Sequence, residues 1–474
     1  MRGVPWLELT ILAPLCGALL GLVLQRAVAV LALVSSLSTA VASAGVAVLV
    51  ARHGTIRRSV GAWELPLGIQ LRADGLAALV LVAFAVVGVF ITAYAMVHFE
   101  PGSRAARSFF PLWLFAWTGL DALLLSSDVF NLYVTLELTT LTSVGLVATG
   151  GDPAALSSAL RYLLFAMAGS LLYLLGVALL YGAHGVLDLD LLGAVVTRGP
   201  VTWGALALIT CGLALKAPLF PLHGWLPAAY ASAPVPVSAL LSGVVGKCSL
   251  YVLVRIWLGV FGVPLGRAPA VLIGVLGAAG VLWASIVACR QQRLKLLVAY
   301  SSIAQLGTIF LVFPLMGRAA FAGGAYLVIS HACAAAAMFI AAGTIEQVVG
   351  HDEIDRLDGL AHRLPLTFVA FALAGVSAMG MPPSGGFVAK WLLVRTAFEL
   401  HEWWWAAVIL IGGLLSAAYV FRVLRGAFVP APITETIRRS RASDLLALGL
   451  ALLALALGLA PDLPLALAAQ GAPS

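Results

Sequence analysis

Charge is scarce in this chain. Only 10% of its 474 residues are Asp, Glu, Lys or Arg, whereas 62% are hydrophobic. A soluble fold would have too little polar surface to cover so much apolar material, so the sequence reads as a polytopic membrane protein. Cysteine is sparse as well. Cys16, Cys211, Cys248, Cys289 and Cys333 are scattered through apolar segments with no C-x-x-C pair, which argues against iron–sulfur ligation and a disulfide framework. No Walker loop is present, and no G-x-G-x-x-G lies between a strand and a helix. The expectation is a chain with no cofactor, no bound metal, and no redox or hydrolytic centre of its own. Its net charge of +7 is too thinly spread to suggest nucleic acid and fits loop lysines and arginines beside a lipid bilayer.

What the chain does have is a succession of apolar runs. A spanning helix needs about 20 such residues, and that ruler finds about fourteen segments: 7–24, 27–50, 74–97, 109–126, 129–149, 157–182, 202–230, 235–260, 269–288, 295–315, 320–345, 366–400, 404–428 and 443–461. The fold class is therefore all-α, one transmembrane domain over 1–474. Arg26-Ala27-Val28-Ala29 loosely mimics a signal-peptide cleavage site, but apolar sequence resumes at once, so two spans are expected there. Residues 52–73 read as a loop or small hairpin. Asp74 and Asp128 stand where helices begin and read as caps or as points of proton entry. Trp403, Trp404 and Trp405 read as an interfacial anchor, and Gly17 with Gly21 forms a weak GxxxG contact signal.

With an even number of spans both termini share a side. One set of loops collects Arg26, Arg104, Arg107, Arg290, Arg293, Lys295, Arg356, Arg363, Arg438, Arg439 and Arg441, while the other has Arg2, Arg198, Arg267, Arg318 and the basic residues of 52–73. The richer set marks the expected cytoplasmic side, so both termini should face outward. The acidic stretch 346–365, on that same side, is a candidate docking surface for partners.

Four apolar runs carry an ionisable residue near the middle: Glu137, Lys216, Lys247 and Lys390. A charge at the centre of a span costs about 2.5–3.5 kcal/mol on insertion scales, so such residues mark hydrated paths or pair with one another. Lys216 and Lys390 also stand beside breaks, Ala217-Pro218 with Pro221 and Pro382-Pro383-Ser384-Gly385-Gly386. The broken segments are the seventh and twelfth, five apart. An odd separation inverts a repeat in the membrane, predicting two inverted five-helix repeats over 109–260 and 269–428, with interrupted helices at their shared site.

The motifs around these residues are specific. They include Asn131-Leu132-Tyr133-Val134-Thr135-Leu136-Glu137, the string Lys216-Ala217-Pro218-Leu219-Phe220-Pro221-Leu222-His223-Gly224-Trp225-Leu226-Pro227, Arg293-Leu294-Lys295 with Tyr300-Ser301-Ser302, and Met381-Pro382-Pro383-Ser384-Gly385-Gly386-Phe387-Val388-Ala389-Lys390. The chain strongly resembles the antiporter-like family shared by respiratory complex I, membrane-bound hydrogenases and Mrp-type cation/proton antiporters, over nearly its whole length. The resemblance implies a fourteen-helix subunit of a larger complex in a bacterial-type inner membrane, moving protons along a mid-membrane polar axis. It assigns Glu137 to the helix-five glutamate, Lys216 to the helix-seven lysine it modulates, Lys247 to the central relay and Lys390 to the terminal position. His223, Lys295 and His331 match polar positions that connect or hydrate the axis. Some relatives carry a lysine four residues after the helix-eleven histidine, where this chain has Ala335.

The leading expectation is a subunit of an Mrp-type antiporter, partnered by other membrane subunits and exchanging protons for a cation such as sodium. The alternatives are the corresponding subunit of an NADH:quinone oxidoreductase-type complex or membrane-bound hydrogenase, a membrane partner in proton-coupled inorganic carbon uptake, and a stand-alone secondary transporter. The chain ends soon after its last span, unlike the largest redox-driven relatives with their long lateral helix.

Overall fold

The computed structural model describes residues 4–471 apart from Glu64, Leu67, 263–265 and 430–440. Arg2, Arg438 and Arg439, counted in the charge balance above, lie outside the described residues. Among the described residues, twelve helices are long and apolar enough to cross a membrane. Two further crossings are split, Pro200–Lys216 followed by Leu226–Ser232, and Pro365–Met379 followed by Gly385–Glu399. Together these make the fourteen expected spans, with the seventh and twelfth interrupted. The segment 52–73 is a hairpin whose strands Ile56–Ser59 and Gln70–Ala73 pair antiparallel.

Aspartates and serines start many of the helices by accepting backbone N–H groups that no helical carbonyl can reach. Asp74 accepts from Ala77, Asp128 from Asn131, Asp152 from Ala155 and Ser384 from Phe387. The loops sort to two faces. On the hairpin face Leu71 bridges Ser126, Asp128 bridges Asp188, and Arg267 pairs with Glu402. On the opposite face Arg293 bridges Glu353, and Lys295 pairs with Glu346 at 2.8 Å.

Three expectations change. The eleventh span, Arg318–Val349, runs past Glu346, so that carboxylate belongs to a helix and not to the loop. The loop that follows is not a free acidic surface: Asp352 is buried against Arg293, Asp355 pairs with Arg422, and Glu353 with Arg356. Of the three tryptophans, Trp403 and Trp404 are exposed, but Trp405 is buried and its indole donates to Glu402 at 2.8 Å. Gly17 and Gly21, by contrast, do face the second span, against Ser35 and Val28.

A tight helix crossing joins the sixth span, Pro153–His184, to the first half of the seventh. A methyl group on Gly212 would lie 2.4 Å from the Gly169 carbonyl oxygen, and one on Gly169 would lie 2.7 Å from that of Gly212. Small residues let helix backbones meet this closely in a membrane. Gly212→Ala should therefore lower the melting temperature of the purified protein. Gly182→Ala, where an added methyl meets nothing within 4 Å, should leave it unchanged or raise it slightly, since alanine is the better helix former by about 0.8–1 kcal/mol. Paired thermal melts in detergent check this.

Candidate functional site

The glycine crossing has a consequence one helical turn further along. Lys216 ends the first half of the seventh span, and Gly212 precedes it by four residues on the same face. Ser170 follows Gly169 on the other helix. The Lys216 ammonium nitrogen Nζ lies 2.8 Å from Glu137 Oε1 and 3.0 Å from Thr140 Oγ1. Ser170 donates its hydroxyl to the same Glu137 oxygen. Lys216 is 7% exposed, so the pair sits largely out of water, where a charge–charge contact is strong but each partner depends on the other.

The eighth span, Val235–Phe261, departs from α-geometry at Leu241–Val245, which forms a π-turn. Such bulges free carbonyls and recur at functional positions. Here the Leu241 carbonyl accepts from Tyr230 Oη at 2.9 Å, and the Ser242 carbonyl accepts from Lys247 Nζ. Ser242 also bonds Ser302 of the tenth span at 2.7 Å. Lys247 is 1% exposed.

Lys390 lies in the second half of the twelfth span and reaches back to the first, donating to the Ala378 carbonyl at 2.7 Å and the Met379 carbonyl at 3.3 Å. Gly380, at φ +81°, makes this possible, because a Cβ there would stand 2.6 Å from Lys390 Cδ. Gln305 shares the Ala378 carbonyl at 2.8 Å. His331 is buried in the eleventh span, close enough to feel the charge of both Lys247 and Lys390, and its Nδ1 has no hydrogen-bond partner among the described residues.

The other two expected residues sit apart from this line. Lys295, paired with Glu346, lines a cleft of about 800 Å³ with His98, Asp152 and Arg293 on the face opposite the hairpin. His223 lies in the break after Lys216, half-buried and stacked on Phe220. Its Nδ1 is also unpartnered among the described residues.

Sequence reasoning overlooked three groups. Tyr162 of the sixth span stacks on Trp225 at 4.2 Å and lies near both Glu137 and Cys248, the neighbour of Lys247 in sequence. Nothing in an apolar run singles out such a tyrosine. Asp121, in Gly119-Leu120-Asp121-Ala122-Leu123, is 1% exposed beside Trp117 and Cys248; its signal equals that of Glu137. Arg255, eight residues after Lys247, gives the eighth span a second charge, bonded to Asp74 at 2.5 Å.

The family described as "NADH:quinone oxidoreductase/Mrp antiporter, TM" matches residues 126–416. The chain belongs to this family. Glu137, Lys216, Lys247, His331 and Lys390 all fall within the matched segment. It is 39% identical to NADH-quinone oxidoreductase subunit N of Desulforudis audaxviator, over 86% of this chain and 81% of the relative. It is 29% identical to a Na(+)/H(+) antiporter subunit of Alkalihalophilus pseudofirmus, over 85% and 82%. Among solved structures, the membrane-bound sulfane sulfur reductase, an archaeal respiratory membrane complex, contains a chain that superposes with a TM-score of 0.91 at 29% identity, covering 98% of this chain and 96% of that one. A chain of the Mrp complex from Dietzia sp. DQ12-45-1b gives 0.90 at 25% identity, covering 98% and 97%. The protein is an antiporter-like membrane subunit, and its structural neighbours are parts of multi-subunit membrane complexes.

Removing one partner of the Glu137–Lys216 pair leaves a buried charge uncompensated, which costs about 3–5 kcal/mol. Lys216→Met should destabilise the protein by that order, and the double variant Glu137→Gln with Lys216→Met should regain most of the loss. Thermal unfolding of wild type, Glu137→Gln, Lys216→Met and the double variant in one detergent tests the coupling; additive losses would mean the two side chains do not act as a pair.

Proposed function

We propose that this antiporter-like subunit moves protons along a mid-membrane axis from the Glu137–Lys216 pair, past Tyr162, to Lys247, His331 and Lys390. The observation that carries this reading is the pair itself: an amine and a carboxylate 2.8 Å apart, at the end of a broken helix, followed by two more buried amines. A nearby carboxylate holds a proton on an amine, and burial opposes it. Separating Glu137 from Lys216 therefore frees a proton for the next site, and restoring the contact reloads it. Lysine suits the task because its protonation responds to surroundings, whereas arginine stays charged. His223 and Lys295 supply accessory steps, with the cleft around Lys295 and Glu346 connecting the axis to bulk water. The matched breaks in the seventh and twelfth spans support two inverted repeats over 109–260 and 269–428 as the frame of this axis.

The drive is best read as redox chemistry in partner subunits of an NADH:quinone oxidoreductase-type complex, because identity to the NADH-quinone oxidoreductase relative is 39%. Cation exchange in an Mrp-type complex is the second reading, favoured by the Na(+)/H(+) antiporter relative at 29% over 85% of the chain. Likeness to solved structures supports neither reading alone: the respiratory sulfane sulfur reductase chain superposes at 0.91 and the Mrp chain at 0.90, while a chain of respiratory complex I from Thermus thermophilus gives 0.78. In either setting the chain sits in a bacterial-type inner membrane, with the hairpin face outward by its lower positive charge.

Glu137→Gln and Lys247→Ala should each cut proton transport by about tenfold or more in vesicles holding the native assembly, a barrier change of roughly 1.4 kcal/mol, without loss of the assembled complex. Wild-type transport in both would overturn the relay. Mass spectrometry of co-purifying proteins decides the drive: iron–sulfur or nucleotide-binding partners mean redox, and small membrane proteins with sister antiporter-like subunits mean cation exchange.

A further inference from the structure

We propose a second, gated water path joining Lys247 to the hairpin face, with Val254 and Phe321 as its apolar constriction and the Asp74–Arg255–Asp190 cluster as its mouth. The proposal rests on Lys247 carrying protons, as argued above.

One face of the eighth span sets out the path. Lys247, Tyr251 and Arg255 recur at intervals of four, so they stack along a single stripe. Beside Lys247 lies a small chamber of about 40 Å³ whose wall includes Leu76, Tyr251, Val254, Phe321 and Gly324. On its far side a cavity of about 120 Å³ is lined by Arg72, Asp74, Asp190, Val254, Arg255 and Phe321. Val254 and Phe321 belong to both linings. They are the partition between the two spaces, and Phe321 is the larger of them, buried at the start of the eleventh span.

The two spaces differ in what they offer water. A water needs about 10–15 Å³ of accessible volume and two to four polar partners. The inner chamber has the volume for two or three waters but few partners. Tyr251 is already engaged, donating to the Leu124 carbonyl at 2.8 Å and accepting from Arg255 Nε at 3.0 Å. That leaves the Lys247 amine. A charged amine draws water into the chamber, while a neutral one leaves it nearly apolar and dry, so the protonation of Lys247 sets the wetting of its own exit. Hydrophobic constrictions that gate by dewetting are an established device in channels.

The mouth is built to stay open and fixed. Arg255 forks onto Asp74, with Nη2 at 2.5 Å from Oδ1, and Asp190 is held by Arg57 and Arg72, each at 2.6 Å. Asp74 lies just outside the third span. Burial pushes its carboxyl up, but the Arg255 guanidinium, the Ala77 N–H and Arg72 outweigh this and hold it below the usual carboxylate range. In the cavity lining the guanidiniums of Arg72 and Arg255 balance the carboxylates of Asp74 and Asp190, so the mouth offers water many polar partners without a net charge that would repel protons.

The test measures undriven proton flux, with a pH-sensitive dye, into vesicles holding the intact assembly. Phe321→Ala removes the partition and should raise passive flux by about tenfold, which corresponds to a barrier lower by roughly 1.4 kcal/mol. Phe321→Ala combined with Lys247→Ala should return the flux to the wild-type level, because the path ends at that amine. Phe321→Trp fills the constriction and should slow driven transport in a complex that assembles normally. A tight Phe321→Ala vesicle overturns the path, as does a leak that survives loss of Lys247. Driven transport separates the two readings: if Lys247→Ala transports normally the relay falls, whereas a dead Lys247→Ala beside a tight Phe321→Ala removes only the gate.

Discussion

Carbonyl groups set free inside a bilayer have no water to turn to, and that constraint organises this protein. A regular helix satisfies its own backbone; a broken or bulged one does not. The seventh, eighth and twelfth spans all depart from regularity near mid-membrane, and side chains answer each departure. Trp225 donates to the Leu215 carbonyl at 2.9 Å, Tyr230 to Leu241, Lys247 to Ser242, and Lys390 and Gln305 to Ala378. Leaving a buried acceptor unpaired costs about 1–3 kcal/mol, so these contacts are needed for the fold as well as for any chemistry. Lys247 and Lys390 are thus held by backbone carbonyls. In the proposed relay an amine that leaves its carbonyl to pass a proton must be replaced there by water, which would tie each transfer to local hydration.

The Glu137–Lys216 pair obeys a related rule. Its geometry comes from two glycines that make no contact with either charge. Gly169 and Gly212 allow the sixth and seventh spans to touch backbone to backbone; Ser170, next to Gly169, and Lys216, one turn after Gly212, then meet the same carboxylate oxygen. Thr140 takes a further proton of the amine. Coupling between carboxylate and amine therefore depends on helix separation: Coulomb attraction falls with distance, and a bulkier residue at the crossing weakens it without altering a single polar group.

Much of this was legible in the residues. Apolar run lengths set the spans, and the prolines near Lys216 and Lys390 marked the breaks, because both signals are local. The cost of a charge in lipid made Glu137, Lys216, Lys247 and Lys390 conspicuous; the three lysines are buried and Glu137 partly so, and each is paired or bonded as that cost would predict. What was not legible depended on the third dimension. Glu346 looked like loop charge until the eleventh helix was seen to reach it. Trp405 looked like its two exposed neighbours until Glu402 was found to accept its indole proton. Tyr162 carries no charge and breaks no pattern, so only its stacking on Trp225 brings it to the axis. Asp121 and Arg255 were different: the same cost argument applied to them, and a scan for one charge in each run stopped short.

Relatives named for an NADH-quinone oxidoreductase and for a Na(+)/H(+) antiporter both align with most of this chain, so in the proposed relay the driving energy acts from outside the axis. A simple estimate shows how little is needed. A unit charge appearing about 10 Å from Glu137, in surroundings with an effective dielectric near 20, changes its energy by about 1.7 kcal/mol. That exceeds one unit of proton affinity, about 1.4 kcal/mol. Glu137 is the most accessible member of the pair, its side chain 14% exposed against 5% for Lys216, and it stands on a span whose Phe130, Val134 and Leu141 face outward. A charge moved in a neighbouring subunit would therefore be felt first at Glu137 and passed to Lys216 by their contact. In the proposed relay the identity of the partner then decides what powers the axis, while the lysines and the backbone they hold decide where the protons go.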